Sequence, residues 1–212
     1  MLFRSSTKSI EEARTVLGKD VLFIQSDAGD VAAQKQVAEQ VKQTFGGLDV
    51  LFVNAGIGDF RPVDAWDEAG FDRSFAVNVK GPYFLIQALL PILANPTSIV
   101  FNTSINAHIG MPMSSIYAAT KGALQTLIRT LSGELIGRGI RVNAVSPGPI
   151  ATPLHGKIGM DDAAIKSLIT QIPAGRRGDP SEVAKAVVFF ASDESAFTIG
   201  AELTIDGGMS TL

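Results

Sequence analysis

Apolar runs typical of buried strands alternate with amphipathic helical patterns along the whole chain, and this alternation constrains the fold most strongly. The strand-like runs are residues 21–25, 49–53, 98–102, 139–145 and 202–205. The helical patterns are residues 9–17, 31–45, 71–94, 115–137 and 182–192. Alternation of this kind builds βαβ units, whose strands are parallel and covered by helices on both faces. The sequence therefore predicts a single α/β domain over residues 1–212, with a doubly wound parallel sheet.

The composition excludes several kinds of site. The 212 residues contain no cysteine, so disulfides, thiolate metal sites and cysteine nucleophiles are ruled out. The two histidines, His108 and His155, are too few for a typical histidine-rich metal site, and we expect no bound metal. The formal net charge of -3 provides no basic surface for nucleic acid or an acidic membrane. We therefore expect neither nucleic acid nor membrane as a partner.

The apolar segments indicate a cytoplasmic protein. Residues 1–6 lack the long apolar core of a signal peptide. The most apolar later run, residues 83–94, is interrupted by Gln87 and Pro91 and is too short to span a bilayer. We interpret this run as part of a buried core helix and expect a cytoplasmic location.

One pair of side chains in the predicted helix 115–137 has a chemical use. Tyr117 and Lys121 are four residues apart, so they lie on the same face of a helix. A free phenol titrates near pH ~10, too high to exchange protons readily at neutral pH. A nearby ammonium stabilises the phenolate and lowers the pKa, which would make Tyr117 an acid/base for a hydroxyl or carbonyl group.

Two further polar residues lie on other elements of the pattern. Ser104 follows a predicted strand, and Asn78 lies within a predicted helix. Together with Tyr117 and Lys121 they resemble the Asn-Ser-Tyr-Lys tetrad of the short-chain dehydrogenase/reductase family. Three supporting stretches match that family as well: residues 54–56 (Asn-Ala-Gly), residues 146–152 (Ser-Pro-Gly-Pro-Ile-Ala-Thr) and residues 205–208 (Ile-Asp-Gly-Gly).

The resemblance covers nearly the whole chain from about Asp20 onward. It implies an NAD(P)(H)-dependent oxidoreductase with a Rossmann-like fold that interconverts an alcohol with a ketone or aldehyde. Tyr117 would be the acid/base, and Lys121 would lower its pKa and bind the cofactor ribose. Ser104 would orient the substrate carbonyl and Asn78 would relay protons; hydrogen bonds to backbone are the structural alternative for both. The substrate would be a small carbonyl compound or alcohol.

Residues 153–173 should line the substrate pocket. They show two helical patches without a diagnostic charge pattern, so the sequence does not indicate which carbonyl compound is bound.

The same resemblance implies a set of cofactor-binding residues in several loops. Asp27 would contact the adenine ring and Ala28 would supply backbone contacts, although an aspartate in this position also suits a local turn. Thr152 would bind the nicotinamide carboxamide. The complete expected set is Asp27, Ala28, Asn54, Ala55, Gly56, Tyr117, Lys121, Pro147, Gly148, Ile150 and Thr152.

Three other features are expected to be structural. Gly56-Ile57-Gly58 follows a strand like the start of a dinucleotide fingerprint, but Arg61 occupies the third glycine position. We therefore reject a phosphate-binding turn at this loop. We expect His108 to be a solvated loop histidine, and residues 206–208 to form a tight turn.

The start of the chain departs from the family pattern. Family members open with a strand, a glycine-rich turn and a helix, whereas the first glycine here is Gly18. We therefore expect an N-terminally truncated fold, with residues 1–3 as the end of the second strand and a gap beside strand 49–53. Arg4 could reach a 2′-phosphate, which favours NADP over NAD.

Loss of the glycine-rich turn would remove the main pyrophosphate site, so we expect weak binding of NADP or NAD. The alternative function is accordingly a catalytically impaired scaffold or oligomer partner. The predicted helices 71–94 and 115–137 carry more apolar residues than one sheet face can cover. In the family such helices form a four-helix interface with a symmetry mate, and we expect a homo-tetramer.

Overall fold

The computed structural model describes the backbone of residues 2–4 and all of residues 7–153 and 160–212. The described strands are β1 Leu2–Arg4, β2 Phe23–Gln25, β3 Leu48–Val53, β4 Leu93–Asn102, β5 Ile140–Pro147 and β6 Glu202–Ile205. The described helices are α1 Thr7–Leu17, α2 Val31–Phe45, α3 Glu68–Phe75, α4 Gly81–Leu89, α5 Ser115–Leu135, α6 Asp162–Thr170 and α7 Pro180–Ala191. The predicted alternation of strands and helices is therefore confirmed.

Four parallel strands form the larger sheet, in the order β3-β4-β5-β6. Val53 at the end of β3 pairs with Phe101, and Asn102 at the end of β4 pairs with Val145 of β5. The carboxyl ends of these strands therefore lie along one edge of the sheet. In open α/β sheets ligands bind at that edge.

Helices cover both faces of this sheet. Ile99 and Phe101 of β4 pack into a core shared with α2, α4 and α5, and both are fully buried. Val100, which lies between them, packs on the opposite face against Phe190 of α7. Alternation along the strand thus fills two cores, because successive side chains of a strand point to opposite faces. The predicted doubly wound α/β fold is confirmed.

The helix predicted over residues 71–94 is divided and differs at both ends. It begins earlier than predicted, because Asp67 caps α3 by accepting a hydrogen bond from the Gly70 N–H. A wide π-helical turn, Ala76–Lys80, then separates α3 from α4. The predicted continuation to residue 94 is wrong, because Leu93 already belongs to β4 and pairs with Leu48 of β3. At the carboxyl end of the predicted helix, pairing between strands decides the structure although the apolar pattern continues.

Length and composition alone would allow the helical stretch of residues 68–92 to cross a membrane. A core helix passes the same test. Leu85, Ile86 and Leu89 from this stretch are buried in the core beneath the sheet. This packing matches the interpretation of the stretch as a core helix.

The first two strands form a separate sheet. β1 pairs in parallel with β2, and no pairing joins either of them to β3 among the strands that the structure describes. Val50 and Phe52 of β3 keep 39% and 37% of their surface exposed. The gap expected beside this strand is therefore present, and it leaves the β3 edge without a described partner.

Candidate active site

The four predicted catalytic residues come from three segments that meet beyond the ends of β3 and β4. Ser104 follows β4, Tyr117 and Lys121 lie in the first turns of α5, and Asn78 occupies the π-helical turn. The α5 helix is fixed on the sheet by a buried apolar stripe with helical spacing, which consists of Leu124, Ile128, Leu131 and Leu135. Asn78, Ser104 and Lys121 are all buried. A buried cluster of polar groups is typical of a functional site.

Asn78 connects the loop after β3 to α5. Its Oδ1 accepts a hydrogen bond from the Ile57 N–H at 2.8 Å, and its Nδ2 donates to the Ile57 carbonyl at 2.9 Å. The same Nδ2 lies 3.1 Å from Thr120 Oγ1, on the residue before Lys121. The hydrogen bonds between Asn78 and backbone, which were the structural alternative, are thus present, but they join Asn78 to Ile57, which is distant in the sequence. The π-helical turn aims the amide at this loop, and such turns are frequent at functional sites.

Lys121 is buried with most of its hydrogen-bonding capacity unused. Its Nζ donates to the Asn102 carbonyl at 2.9 Å and lies 5.6 Å from the centroid of the Tyr117 ring. Burial lowers the pKa of Lys121 to about 8, because the charged form loses hydration. An ammonium has three donor hydrogens. Among the described residues only Asn102 accepts one of them, so the other two can bind a ligand.

The pKa of Tyr117 is raised, which corrects the expectation that Lys121 lowers it. Burial is the larger cause, and a side-chain hydrogen bond with Ser104 acts in the opposite direction. Lys121 is not among the causes of the shift, and its Nζ donates to the Asn102 carbonyl. The phenol is therefore protonated at neutral pH. Phe60 packs against the same ring, with the centroids 5.3 Å apart.

Ser104 has a local structural role and also faces Tyr117. Its Oγ accepts a hydrogen bond from the Asn106 N–H at 3.2 Å and lies 3.3 Å from Asn106 Oδ1. It thereby caps the short helical turn Ile105–Ala107. The alternative expected for a serine at the end of a strand, a hydrogen bond to backbone, is thus present.

The loop after β2 is ordered by its own polar groups. Asp27 Oδ1 accepts a hydrogen bond from the Gly29 N–H at 2.9 Å, which is the local turn foreseen as an alternative to adenine contact. Gln34 Nε2 donates to the Asp27 carbonyl at 2.9 Å. The Ala28 carbonyl packs directly against Gly81, where an added Cβ would collide with it. Gly81 therefore allows this loop to lie against α4.

The stretch Asn54-Ala55-Gly56 follows β3 and borders the catalytic residues. Asn54 Oδ1 accepts a hydrogen bond from Asn102 Nδ2 at 2.6 Å, which ties the ends of β3 and β4 together. A Cβ added at Gly56 would lie 3.4 Å from Asn78 Oδ1 and 3.7 Å from Lys121 Nζ. This loop and the tetrad therefore border one site.

The stretch after β5 is shaped by close backbone contacts. Gly148 N–H donates to the Ile205 carbonyl at 3.0 Å, and an added Cβ would lie 2.6 Å from the Asp206 Cβ. Ile150 forms an isolated parallel bridge with Gly178, while Pro147 ends β5. Asp206 itself accepts hydrogen bonds from Gly208 and Ser210 in the tight turn expected there. Thr152 is partly exposed and lies at the start of the following loop.

Two sequence expectations concern residues whose side chains lie outside the described part of the structure. These are Arg4, which was expected near a 2′-phosphate, and residues 154–159 of the expected substrate-pocket region. Within the described residues no group of three His, Asp or Glu side chains could hold a metal ion. His108 is partly exposed as expected, although it is paired with Glu202.

Comparison with known proteins identifies the family. A family model described as enoyl-(acyl carrier protein) reductase matches residues 3–210. The chain is 39% identical over 177 residues to the 3-oxoacyl-(acyl carrier protein) reductase of Thermotoga maritima, covering 82% of this chain and 71% of that protein. A short-chain dehydrogenase/reductase structure from Brucella melitensis matches with a TM-score of 0.93 and 30% identity, covering 100% of this chain and 86% of that one. The chain belongs to the short-chain dehydrogenase/reductase family.

A second solved structure extends the comparison. The structure of a gluconate 5-dehydrogenase from Burkholderia cenocepacia, in complex with NADP and tartrate, matches with a TM-score of 0.89 and 25% identity. It covers 100% of this chain and 85% of that one. The predicted class, an NAD(P)-dependent dehydrogenase/reductase, is confirmed at the level of the family.

Three buried polar atoms fit the dinucleotide that short-chain dehydrogenases/reductases use. Ser26 Oγ, Asn102 Oδ1 and Ser146 Oγ are buried and have no hydrogen-bond partner in the described part of the chain. They lie at or just after the carboxyl ends of β2, β4 and β5, respectively. Unpaired buried polar atoms are rare, and here they follow the edge along which a dinucleotide would lie. Together with the unused donors of Lys121, they suit a polar ligand.

The sequence reasoning missed two residues of this family member's site. Asn102 binds both Asn54 and Lys121, through its side chain and its carbonyl, respectively. Thr120 accepts from Asn78 and donates to the Tyr117 carbonyl at 2.7 Å. Asn102 carried a usable signal, since an amide at the end of an otherwise apolar strand lies at the ligand edge. Thr120 carried none, because a threonine in a helix is commonplace.

Proposed function

We propose that the protein is an NAD(P)(H)-dependent oxidoreductase that interconverts an alcohol with a ketone or aldehyde. The observation that carries the proposal is the buried Lys121 ammonium, whose Nζ lies 5.6 Å from the centroid of the Tyr117 ring. Burial of a charged group without a paired anion costs stability, and such groups are retained mainly where they act on a ligand. The bound nicotinamide would supply or accept the hydride.

The chain's own residues would handle the proton and the substrate oxygen. Tyr117 is protonated at neutral pH because its pKa is raised, so its hydroxyl suits the role of general acid in carbonyl reduction. Lys121, with a pKa of about 8, is mostly charged at pH 7 and would stabilise the phenolate left after proton transfer. Ser104 Oγ would donate to the substrate oxygen and orient the carbonyl carbon. Asn78 would hold the water through which protons reach the site.

The cofactor is proposed to lie across the carboxyl ends of β2 to β5. Asp27 and Ala28 would contact the adenosine part, since Asp27 Oδ2 is not used by the local turn. Lys121 would bind the nicotinamide ribose through its two unused donors. The other residues proposed to line the cofactor are Asn54, Ala55, Gly56, Tyr117, Pro147, Gly148, Ile150 and Thr152. NADP is favoured over NAD, which is supported by Arg4 in the sequence and by NADP in a related structure.

The second candidate is a catalytically impaired scaffold or oligomer partner. One observation favours it: β1 and β3 lack a shared partner strand among the described residues, beside the expected pyrophosphate site. Titration of NADPH fluorescence with this polypeptide distinguishes the candidates. Saturable binding favours the enzyme, and no binding favours the scaffold.

We also propose a cytoplasmic homo-tetramer that binds neither nucleic acid nor membranes. Exposed apolar side chains on α7 and near β6 support self-association. These are Val188, Phe197, Ile199 and Leu203, and Phe197 is fully exposed. Apolar surface of this kind marks interaction sites on soluble proteins.

The function is tested with the chain's only two tyrosines. NAD(P)H oxidation is followed with a panel of ketones, aldehydes and quinones for the wild type, Tyr117→Phe and Tyr83→Phe. General acid–base catalysis contributes roughly 10²–10⁴-fold, so Tyr117→Phe should lose about that factor in kcat. Tyr83 is exposed on α4, so Tyr83→Phe should keep wild-type turnover. Turnover of Tyr117→Phe within about tenfold of the wild type would exclude Tyr117 as the acid/base.

A further inference from the structure

The carboxylate of Glu202 contacts three polar side chains from two segments of the chain. Thr103 Oγ1 lies 2.9 Å from Oε1, and His108 Nε2 lies 2.9 Å from Oε2. Gln125 Nε2 lies 2.9 Å from Oε1 and 3.0 Å from Oε2, and it also lies 2.6 Å from His108 Nε2. Glu202 is the first residue of β6, and its side chain is only 21% exposed. Hydrogen bonds to a charged acceptor are stronger than those between neutral groups.

The three side chains that contact Glu202 belong to the segments that carry the proposed catalytic residues. Thr103 directly precedes Ser104, and His108 ends the short turn that Ser104 caps. Gln125 lies one helical turn after Lys121 on α5. Glu202 is therefore a common acceptor for the segment around Ser104 and for the helix that carries Tyr117 and Lys121.

The network around Glu202 contains more than an exposed ion pair between His108 and Glu202. Ion pairs at the surface contribute little, because water competes for both charges. Thr103 is 3% exposed, however, and its hydroxyl has only Glu202 and the Val145 carbonyl as acceptors among the described residues. Gln125 is also partly buried. Gln125 Nε2 contacts both carboxylate oxygens, so an amide at residue 202 would place its NH₂ group against this donor in either orientation and weaken the network.

We propose that Glu202 is a positioning residue that holds the Ser104 segment at a fixed distance from α5. It acts through Thr103, His108 and Gln125 and does not touch the reacting atoms. The consequence for turnover rests on the proposed function, in which Ser104 and Tyr117 act on the same substrate oxygen. Misplacement of a catalytic group by about 1 Å can cost on the order of 10²-fold in rate, so a smaller displacement should still be measurable.

The first test measures whether Glu202 stabilises the Ser104 segment, and it does not depend on enzyme activity. Amide hydrogen exchange is followed by mass spectrometry over residues 103–111 in the wild type, Glu202→Gln and Glu134→Gln. Glu134 is exposed on α5, so Glu134→Gln is the same substitution at a position away from the network. We expect exchange in this segment to be about tenfold faster in Glu202→Gln and unchanged in Glu134→Gln, because local opening follows local stability. Equal exchange in all three proteins would refute the anchoring.

The second test separates positioning from a general structural effect. In the wild-type background Glu202→Gln should lower kcat about tenfold while the KM for NADPH changes less than about twofold. In a Ser104→Ala background the same substitution should change kcat by less than about twofold, because the group being positioned is absent. The same loss in both backgrounds would refute action through Ser104. A wild type without turnover would refute the proposed function, and the exchange experiment would still decide whether Glu202 anchors the segment.

Discussion

Replacement of Lys121 by methionine should remove a cost to stability while it abolishes activity. The pKa of Lys121 falls from 10.5 to about 8 on folding, because the buried ammonium loses hydration. Each unit of pKa corresponds to about 1.4 kcal/mol, so burial of the charge costs the folded state about 3 kcal/mol at pH 7. Methionine has a similar length without the charge. It gives up the hydrogen bond to Asn102, which contributes about 1.5–3 kcal/mol. The variant should therefore be at least as stable as the wild type at pH 7.

The pH dependence gives a sharper test than the absolute stability. Because the folded pKa of Lys121 is lowered, the unfolded chain binds more protons than the folded protein between about pH 8 and the unfolded value of 10.5. Wild-type stability from this group therefore rises with pH in that window, and the cost is fully present below about pH 8. Between pH 7 and pH 9 the wild type should gain on the order of 1 kcal/mol relative to Lys121→Met.

The measurement is urea unfolding of both proteins at pH 7 and pH 9, at equal protein concentration. With a slope of about 2 kcal/mol per molar urea, the difference between the midpoints of the two proteins should change by about 0.5 M between pH 7 and pH 9. Lys42→Met, at an exposed lysine of α2, controls for loss of a lysine as such. If the unfolding free energies of the wild type and Lys121→Met differ by the same amount at both pH values, the argument that the Lys121 charge is destabilised by burial is refuted.

Two further predictions concern packing and assembly. Gly81→Ala should lower the melting temperature by about 3–10 °C, because the new Cβ meets the Ala28 carbonyl and overpacking costs about 1–3 kcal/mol. Gly133→Ala, where a Cβ meets nothing within 4 Å, should not lower it, and equal losses in the two variants would contradict the argument. Light scattering at micromolar concentration should give the mass of a tetramer, and Phe197→Glu should shift the population toward smaller species. A wild-type monomer would count against the proposed interface.

The fold was predictable because the central strands are buried on both faces. β4 therefore carries a continuous apolar run over residues 99–101, β5 places Ile140, Val142 and Ala144 at alternate positions, and the helix α5 between them keeps a clear apolar stripe. The end of the helix predicted over residues 71–94 was not predictable in the same way. Leu93 continues the apolar pattern, and only its pairing with Leu48, far away in the sequence, makes it part of a strand.

The sequence placed the four candidate catalytic residues on segments that meet in the fold, but it did not predict the direction of the Tyr117 pKa. The spacing of Tyr117 and Lys121 placed both on one face of α5, but the sequence did not reveal how deeply they are buried. Burial decides the direction of the Tyr117 pKa, which is opposite to the one expected from a neighbouring charge. Thr120 and Glu202 were missed because their partners, Asn78 and Thr103, respectively, are brought to them only by the fold.

The most direct test of the proposed function follows the hydride itself. NADPH that carries deuterium at the transferable C4 position is incubated with the protein and a ketone that it turns over, and the alcohol is analysed by mass spectrometry and NMR. We predict one deuterium at the former carbonyl carbon, with formation of the labelled alcohol slowed by at least about 100-fold in Tyr117→Phe. Unlabelled alcohol, or equal rates for the two proteins, would contradict hydride transfer assisted by Tyr117.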